Sequence, residues 1–491
     1  MNYKKYIGLA FLLVTAMSCS QQDLKDVEQP IGGGEKLIVG VSPEEAISVA
    51  FDDSSILSDD DILTMVKTFI NTETTRGGND YKLAINNEFY IELANNNSNT
   101  RSIGNEKIKF CTVDITSTNS STKNYAIACA DDRYPVVLAF SEGDYENIAG
   151  TPADFMLARA KAIVLDHIAK VNNIKAELHD KTVAKICKVL DVNPEKFNYN
   201  DVKGNLYVQP IDVKDIGIET RSTGVLEPGG AFMGGVGPLC NTRYIQGWPC
   251  NQFMDETNIE KWTSPQHNSH FPAGCANVAL AAICSYLRPN IYSPELQRNI
   301  NWDILANCHF DPIYGSKPSE FDPSTQVAIE AGRLLQVITR GTKTKFGVDG
   351  GTTSTTDAAS FMGSVGIFML PITSDMTYQN IRPSLANYQP VYATGTIRKI
   401  ASRAEGIEGG HAWVIDGYQV RSRYTRMELQ NFSCYVHCNF GWIEAEDKYI
   451  APLVNHNAWF LCDYSGSISS FNLKGEIIDI DLRCVPNIRL K

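Results

Sequence analysis

The chain has 491 residues, 43% of them hydrophobic and 20% charged, with a net charge of −12. That length and apolar content can bury more than one core of ordinary domain size. The acidic charge, spread without long runs, argues against a groove for nucleic acid, which needs clustered Lys and Arg to displace counterions from phosphate. No nucleic-acid partner is expected.

Lys4 and Lys5 precede an apolar run from Ile7 to Val14 that is too short to cross a bilayer as a permanent helix. Ala16, Met17, Ser18 and Cys19 then resemble a bacterial lipobox, with Ala16 where leucine is usual. The resemblance implies a signal peptide over residues 1–18, cleavage before Cys19, and acylation of the cysteine sulfur and the new amino group. An ordinary secretory peptide with a chance cysteine is the competing reading. A polar tether over 19–41 follows. The expectation is an exported cell-envelope lipoprotein, outer-membrane, periplasmic or surface-facing, that meets the membrane only through a lipid on Cys19.

From 42 to 217 the chain mixes helical and strand patterns. Ser42, ahead of Glu44 and Glu45, reads as a helix N-cap with an acidic first turn. Residues 124–145 read as two β-rich runs around a polar turn at Asp131, Asp132 and Arg133. Residues 151–171 have strong helical periodicity, and 72–80 and 98–105 read as loops. The Gly-, Pro-, Ser- and Thr-rich stretch at 218–235 lacks the Gly-Lys-Ser/Thr ending of a phosphate-binding loop, so it reads as a linker. A second domain runs from 236 to 491, with helices after Cys275 and around 325–336 and many strands after 388.

"HFPAGCANVALAAIC" sets Cys275 after Gly274 at the start of a helix-forming apolar run. A thiol there faces the positive end of the helix dipole and unpaired N–H groups, which favour thiolate. Gly274 permits close approach of backbone or substrate. Alone, such a cysteine is more often a buried filler. A nucleophile also needs a base, a group to orient the base, and oxyanion donors. "EGGHAWVIDGYQV" reads as a strand with His411, Trp413 and Ile415 on one face, and His411 lies 136 residues after Cys275. Asn439 ends the β-rich run "CYVHCN", and antiparallel pairing of the two strands would bring its amide to the imidazole. Phe440 or Trp442 could shield that bond from water. Gln246, in "YIQGWPCN", offers a side-chain donor to complete an oxyanion hole with the Cys275 N–H.

Thirteen cysteines are present. With Cys19 lipidated and Cys275 a free thiol, an odd number is left, so complete pairing is impossible. Cys434, His437 and Cys438 are close enough for a zinc corner, but no second CxxC or HxxxH completes it, and they read as strand positions. No metal is expected. Cys284 reads as packing in the helix of Cys275.

The set "PLCNTRYIQGWPCN", "GCANVALAAIC", "GGHAWVIDGY" and "CNFGW" resembles the streptopain family of papain-fold cysteine peptidases, over roughly 236–445. "YAIACADDRYPVVLAFSEGDY" is similar to that family's propeptide, extending the resemblance back to about 42. The resemblance implies an α+β fold: a papain-like catalytic domain, part helical and part antiparallel sheet, behind an α+β propeptide over 42–217. It implies Gln246 as oxyanion donor, Cys275 as nucleophile, His411 as base and Asn439 as orienting amide, with no cofactor. Protein or peptide substrates with an apolar side chain two residues before the scissile bond are implied, and the chain's own propeptide as inhibitor. Activation by cleavage near Lys214 or Arg221 would release the catalytic domain. Tyr244 and Phe440 stand where the family usually has Trp, and Cys250 where it has Tyr; these departures bear on the subsites and on the cover over the Asn–His bond. Two rivals stay open: an inactive surface protein that keeps the fold for binding, and a cysteine amidase acting on cell-wall peptides.

Overall fold

A computed structural model describes residues 37–51, 56–71, 81–93, 106–117, 123–142, 152–208, 231–264, 267–306, 308–310, 322–348, 350–401, 404–423, 431–441, 458–462, 470–473 and 476–491. The expectations for Cys19, Lys214, Arg221, Trp442 and the loops at 72–80 and 98–105 fall outside these residues. No helix among the described residues is long and apolar enough to cross a membrane.

An antiparallel sheet runs through both the N-terminal region and the C-terminal half. Among the described residues its order is Ser374–Asp375, Glu476–Val485, Val391–Ala401, Ala404–Arg423, Asn431–Asn439, Ala458–Cys462, Val136–Glu142, Lys123–Cys129, Glu106–Ser117 and Tyr81–Leu93. The junction of the two regions is a backbone ladder, with Ala458, Trp459 and Phe460 opposite Ser141, Phe140 and Ala139. Ala404–Arg423, the histidine strand, and Asn431–Asn439, the asparagine strand, are neighbours.

Strand periodicity sends alternate side chains to opposite faces, and the histidine strand uses it to divide two cores. Ala412 and Val414 join the helical core built on Cys275–Leu287, the cysteine helix, and on Gln326–Gly341 and Thr355–Ser364. Trp413 and Ile415 join the other core, which also holds Phe69, Phe110, Phe140 and Phe155 of the N-terminal region. A third, smaller core lies at the far end of the helix Pro152–Leu190, under Val183, Ile186 and Cys187.

Ser42 caps Pro43–Ala50 as expected, its Oγ accepting from the Glu45 N–H while Glu45 returns a bond to the Ser42 N–H. The two β-rich runs become Lys123–Cys129 and Val136–Glu142. The long helix continues 19 residues past its expected end at 171. That extension is polar on most sides, and its few apolar residues are held by the third core rather than by a broad stripe. Thr355–Ser364 and Tyr378–Ala386 were not expected; both are short, and the second contains Pro383. Part of the expected linker is structured: Phe232–Val236 is a strand on the histidine strand. Gly235 there serves close approach, since a Cβ would lie 2.3 Å from the Tyr418 carbonyl oxygen.

Phe69, in the helix Asp59–Asn71, ties the regions together. Its ring meets Phe140 at 6.0 Å and Tyr435 of the asparagine strand at 5.1 Å, under the Arg421 guanidinium at 3.8 Å. Phe69→Ala should cost about 3–5 kcal/mol, as for other buried Phe truncations. Denaturant unfolding of the full chain should show that loss in one transition shared by both regions; two transitions, with the C-terminal one unmoved, would contradict the shared core.

Candidate active site

The cysteine helix begins at Cys275, and Gly274 before it has φ +89° with no side-chain cap. Its glycine is required twice: for that left-handed backbone, and because a Cβ would come within 2.6 Å of the Gly351 carbonyl oxygen. One residue earlier, the Ala273 N–H donates to the Gln246 carbonyl at 2.9 Å, which holds the Gln246 loop beside the helix start. The helix also packs against the turn after the asparagine strand. A Cβ on Gly441 (φ +58°) would lie 2.2 Å from Cγ1 of Val278, so only glycine lets the chain pass this close.

Gln246, Cys275 and His411 line one cleft of about 330 Å³, between the helical part and the sheet. Its walls include Trp262, Gly350, Gly351, Thr352, Thr353 and Tyr392. Cys275 keeps part of its surface open. Burial nonetheless pushes its thiol up, outweighing the backbone N–H groups of Ala412, Ala276 and Cys275 itself, which pull it down. Helix-start donors alone therefore do not make this sulfur a thiolate, and ionisation needs a base. His411 is the half-buried imidazole on the same cleft, opposite Gly395 in the ladder. Its ring lies 5.4 Å from that of Phe155, a fully buried residue of the N-terminal region.

Asn439 is buried at the end of its strand, opposite Val414. Its Nδ2 donates to the Thr242 carbonyl at 3.0 Å. An amide that donates through Nδ2 has Oδ1 left as an acceptor, the group that an imidazole N–H requires. Trp413 is fully buried and tilted against Phe440 at 5.7 Å, and Phe440 meets Phe460 at 5.9 Å. Tyr244, buried in place of the family's tryptophan, bonds Ser285 Oγ through its hydroxyl at 2.7 Å. Cys250 and Cys284 are buried, the latter with its sulfur 3.7 Å from that of Met362.

The zinc-corner residues serve the sheet. His437 Nδ1 is 2.6 Å from Asp416 Oδ1, and Asp416 Oδ2 accepts from the Cys240 N–H at 3.0 Å. Among the described residues no cluster of His, Cys, Asp and Glu could hold a metal.

His267 is a second histidine on the cleft, unmarked in the sequence. Its position eight residues before Cys275 carried no recognisable motif. It is 7% exposed, edge-on to Trp262 at 4.8 Å, and its Nδ1 meets no hydrogen-bond partner. Burial, helped by the Lys261 charge, lowers its pKa from 6.5 to about 4. Because the folded value is depressed, the unfolded chain binds more protons between pH 6.5 and 4. Its stabilising contribution is therefore present above about pH 6.5 and lost as pH falls towards 4. Thermal melts of wild type and His267→Gln should diverge across that window, with wild type losing more stability on acidification; parallel curves would contradict the assignment.

Residues 244–450 match the Peptidase C10 family. No curated protein matches the chain. Among solved structures it is similar to a fragment of Prevotella intermedia prointerpain A, at 15% identity and a TM-score of 0.39, covering 82% of this chain and 100% of that one. It is also similar to active wild-type interpain A cysteine protease of Prevotella intermedia, at 17% identity and a TM-score of 0.31, covering 52% and 95%. The Gln246 loop, the histidine strand and the asparagine strand all lie inside the residues that match the Peptidase C10 (streptopain) family, and the chain is a cysteine peptidase.

Proposed function

We propose that the chain is an exported endopeptidase made as a zymogen, in which Cys275 attacks a peptide carbonyl. The reading is carried by one observation: Gln246, Cys275 and His411 share a cleft at the junction of helix and sheet. His411 takes the thiol proton as the sulfur bonds to the carbonyl carbon. Negative charge on the oxygen falls to the Gln246 amide and the Cys275 N–H, and Asn439 orients the imidazole. The imidazolium protonates the departing amine as the C–N bond breaks, leaving a thioester. Water, deprotonated by His411, then releases the acid and restores the thiol.

Against an unfolded protein substrate, Cys275→Ala and His411→Ala should each remove nearly all turnover. Gln246→Ala should cost on the order of 10²–10³ in turnover, as for a single oxyanion donor. Asn439→Ala should retain measurable activity, since an amide transfers no proton. Full activity in Cys275→Ala would end this reading.

Residues 42–217 act in this reading as an intramolecular inhibitor. Two features support that role: the Phe155 ring on His411, and the ladder that adds the N-terminal strands to the catalytic sheet. Cleavage near Lys214 or Arg221 would sever the covalent link, and the shared core predicts that the cut pieces stay together until the ladder opens. Export with a lipid on Cys19 belongs to the same proposal and rests on Lys4, Lys5, the apolar run and the lipobox. In uncut chain, protected by Lys214→Gln and Arg221→Gln, Phe155→Ala should raise peptide turnover several-fold. Turnover equal to that of the Phe155 parent would contradict inhibition at His411.

A further inference from the structure

The cysteine helix is apolar along most of its length, yet its third residue is Asn277, which is fully buried. A buried amide is costly unless its hydrogen bonds are made. Those of Asn277 are made, and they converge on one neighbouring segment. Its Nδ2 donates to the Ala273 carbonyl at 2.7 Å and to Thr344 Oγ1 at 2.8 Å. Its Oδ1 accepts from Thr342 Oγ1 at 2.9 Å and from Thr353 Oγ1 at 3.4 Å. Thr344 and Thr353 are themselves 2.8 Å apart through their hydroxyls.

Thr344 and Thr353 are the two feet of a small hairpin, Lys345–Gly347 against Gly350–Thr352, in which Phe346 faces Gly351. Gly350, Gly351, Thr352 and Thr353 form a wall of the cleft. The Gly351 carbonyl lies where a side chain on Gly274 would stand. One amide, two residues past Cys275, thus grips both feet of the hairpin that faces the sulfur.

We infer that Asn277 is a positioning residue: through Thr344 and Thr353 it sets the distance between the Cys275 sulfur and the hairpin wall that receives the substrate. This rests on Cys275 being the nucleophile. The hairpin supplies neither the thiol nor the imidazole, so loosening it should impair the seating of a peptide more than the chemistry of the sulfur. Hydroxyls and amide close one network, so removing any member should release the same constraint.

The test uses the full chain in its peptidase-active form, with Asn277→Ala, Thr344→Val, Thr353→Val and the Asn277→Ala/Thr353→Val pair. KM and kcat are measured on a peptide substrate, and the rate of Cys275 alkylation by iodoacetamide is followed by mass spectrometry. Each single variant should raise KM on the order of tenfold or more, because small misplacements of a positioning element are expensive. Alkylation, which needs no peptide seat, should stay within about twofold of wild type, and the double variant should be no worse than Asn277→Ala. If Asn277→Ala fails to fold, Thr344→Val, which removes a single hydroxyl without changing shape, carries the same expectation. An unchanged KM, or a raised KM with alkylation slowed in step, overturns the inference. If Cys275→Ala is also fully active, the site assignment has failed instead; if Cys275→Ala is inert, only the role of Asn277 is lost.

Discussion

The start of the cysteine helix lies close enough to the histidine strand for the Ala412 backbone N–H to favour the thiolate of Cys275. This contact requires the cysteine helix and the histidine strand to lie almost against each other. Gly274 and Gly441 let other segments close in on the same helix, the first beside the Gly351 carbonyl and the second beside Val278. Once helix and strand are this close, His411 is carried to the mouth of the same cleft as Cys275, and Gln246 follows through its carbonyl bond to Ala273. Burial raises the thiol at the same time. The arrangement that brings the groups together therefore also makes a proton acceptor necessary.

The histidine strand has a second consequence, because it faces two cores. Its Ala412 and Val414 face belongs to the helical part, while Trp413 and Ile415 pack with aromatic residues of the N-terminal region. The N-terminal region and the helical part thus bear on one strand from opposite sides. An N-terminal region held by a sheet ladder and by Phe69 under Arg421 is not detached simply by cutting the chain. Its removal would also turn Ala458–Cys462 into an edge strand with unpaired backbone groups, which gives the cut complex a physical reason to persist.

Much of this was legible in the sequence. Cys275 at a helix start, His411 on a strand and Asn439 at the end of its antiparallel neighbour follow from helix-forming runs and two-residue alternation. Gly274, before the cysteine, marked close approach. What stayed hidden depends on distant partners. His267 is unremarkable until folding sets it on Trp262 and strips its water. Asn277 looks like an interruption of an apolar run until Thr344 and Thr353 arrive from a hairpin more than sixty residues away. Gly235 read as flexibility because nothing local says that the Tyr418 carbonyl will lie against it. The union of the two regions was hidden for the same reason, since a ladder between residues 139–141 and 458–460 has no local signature.

One thiol, Cys275, is set apart from the other cysteines by its cleft. The most direct measurement is to treat the active chain with a peptidyl epoxide, digest it, and locate the adduct by mass spectrometry. Labelling should be stoichiometric on Cys275 and lost in His411→Ala. Labelling spread over several cysteines, or falling on Cys284 or Cys250 with Cys275 unmodified, would contradict it.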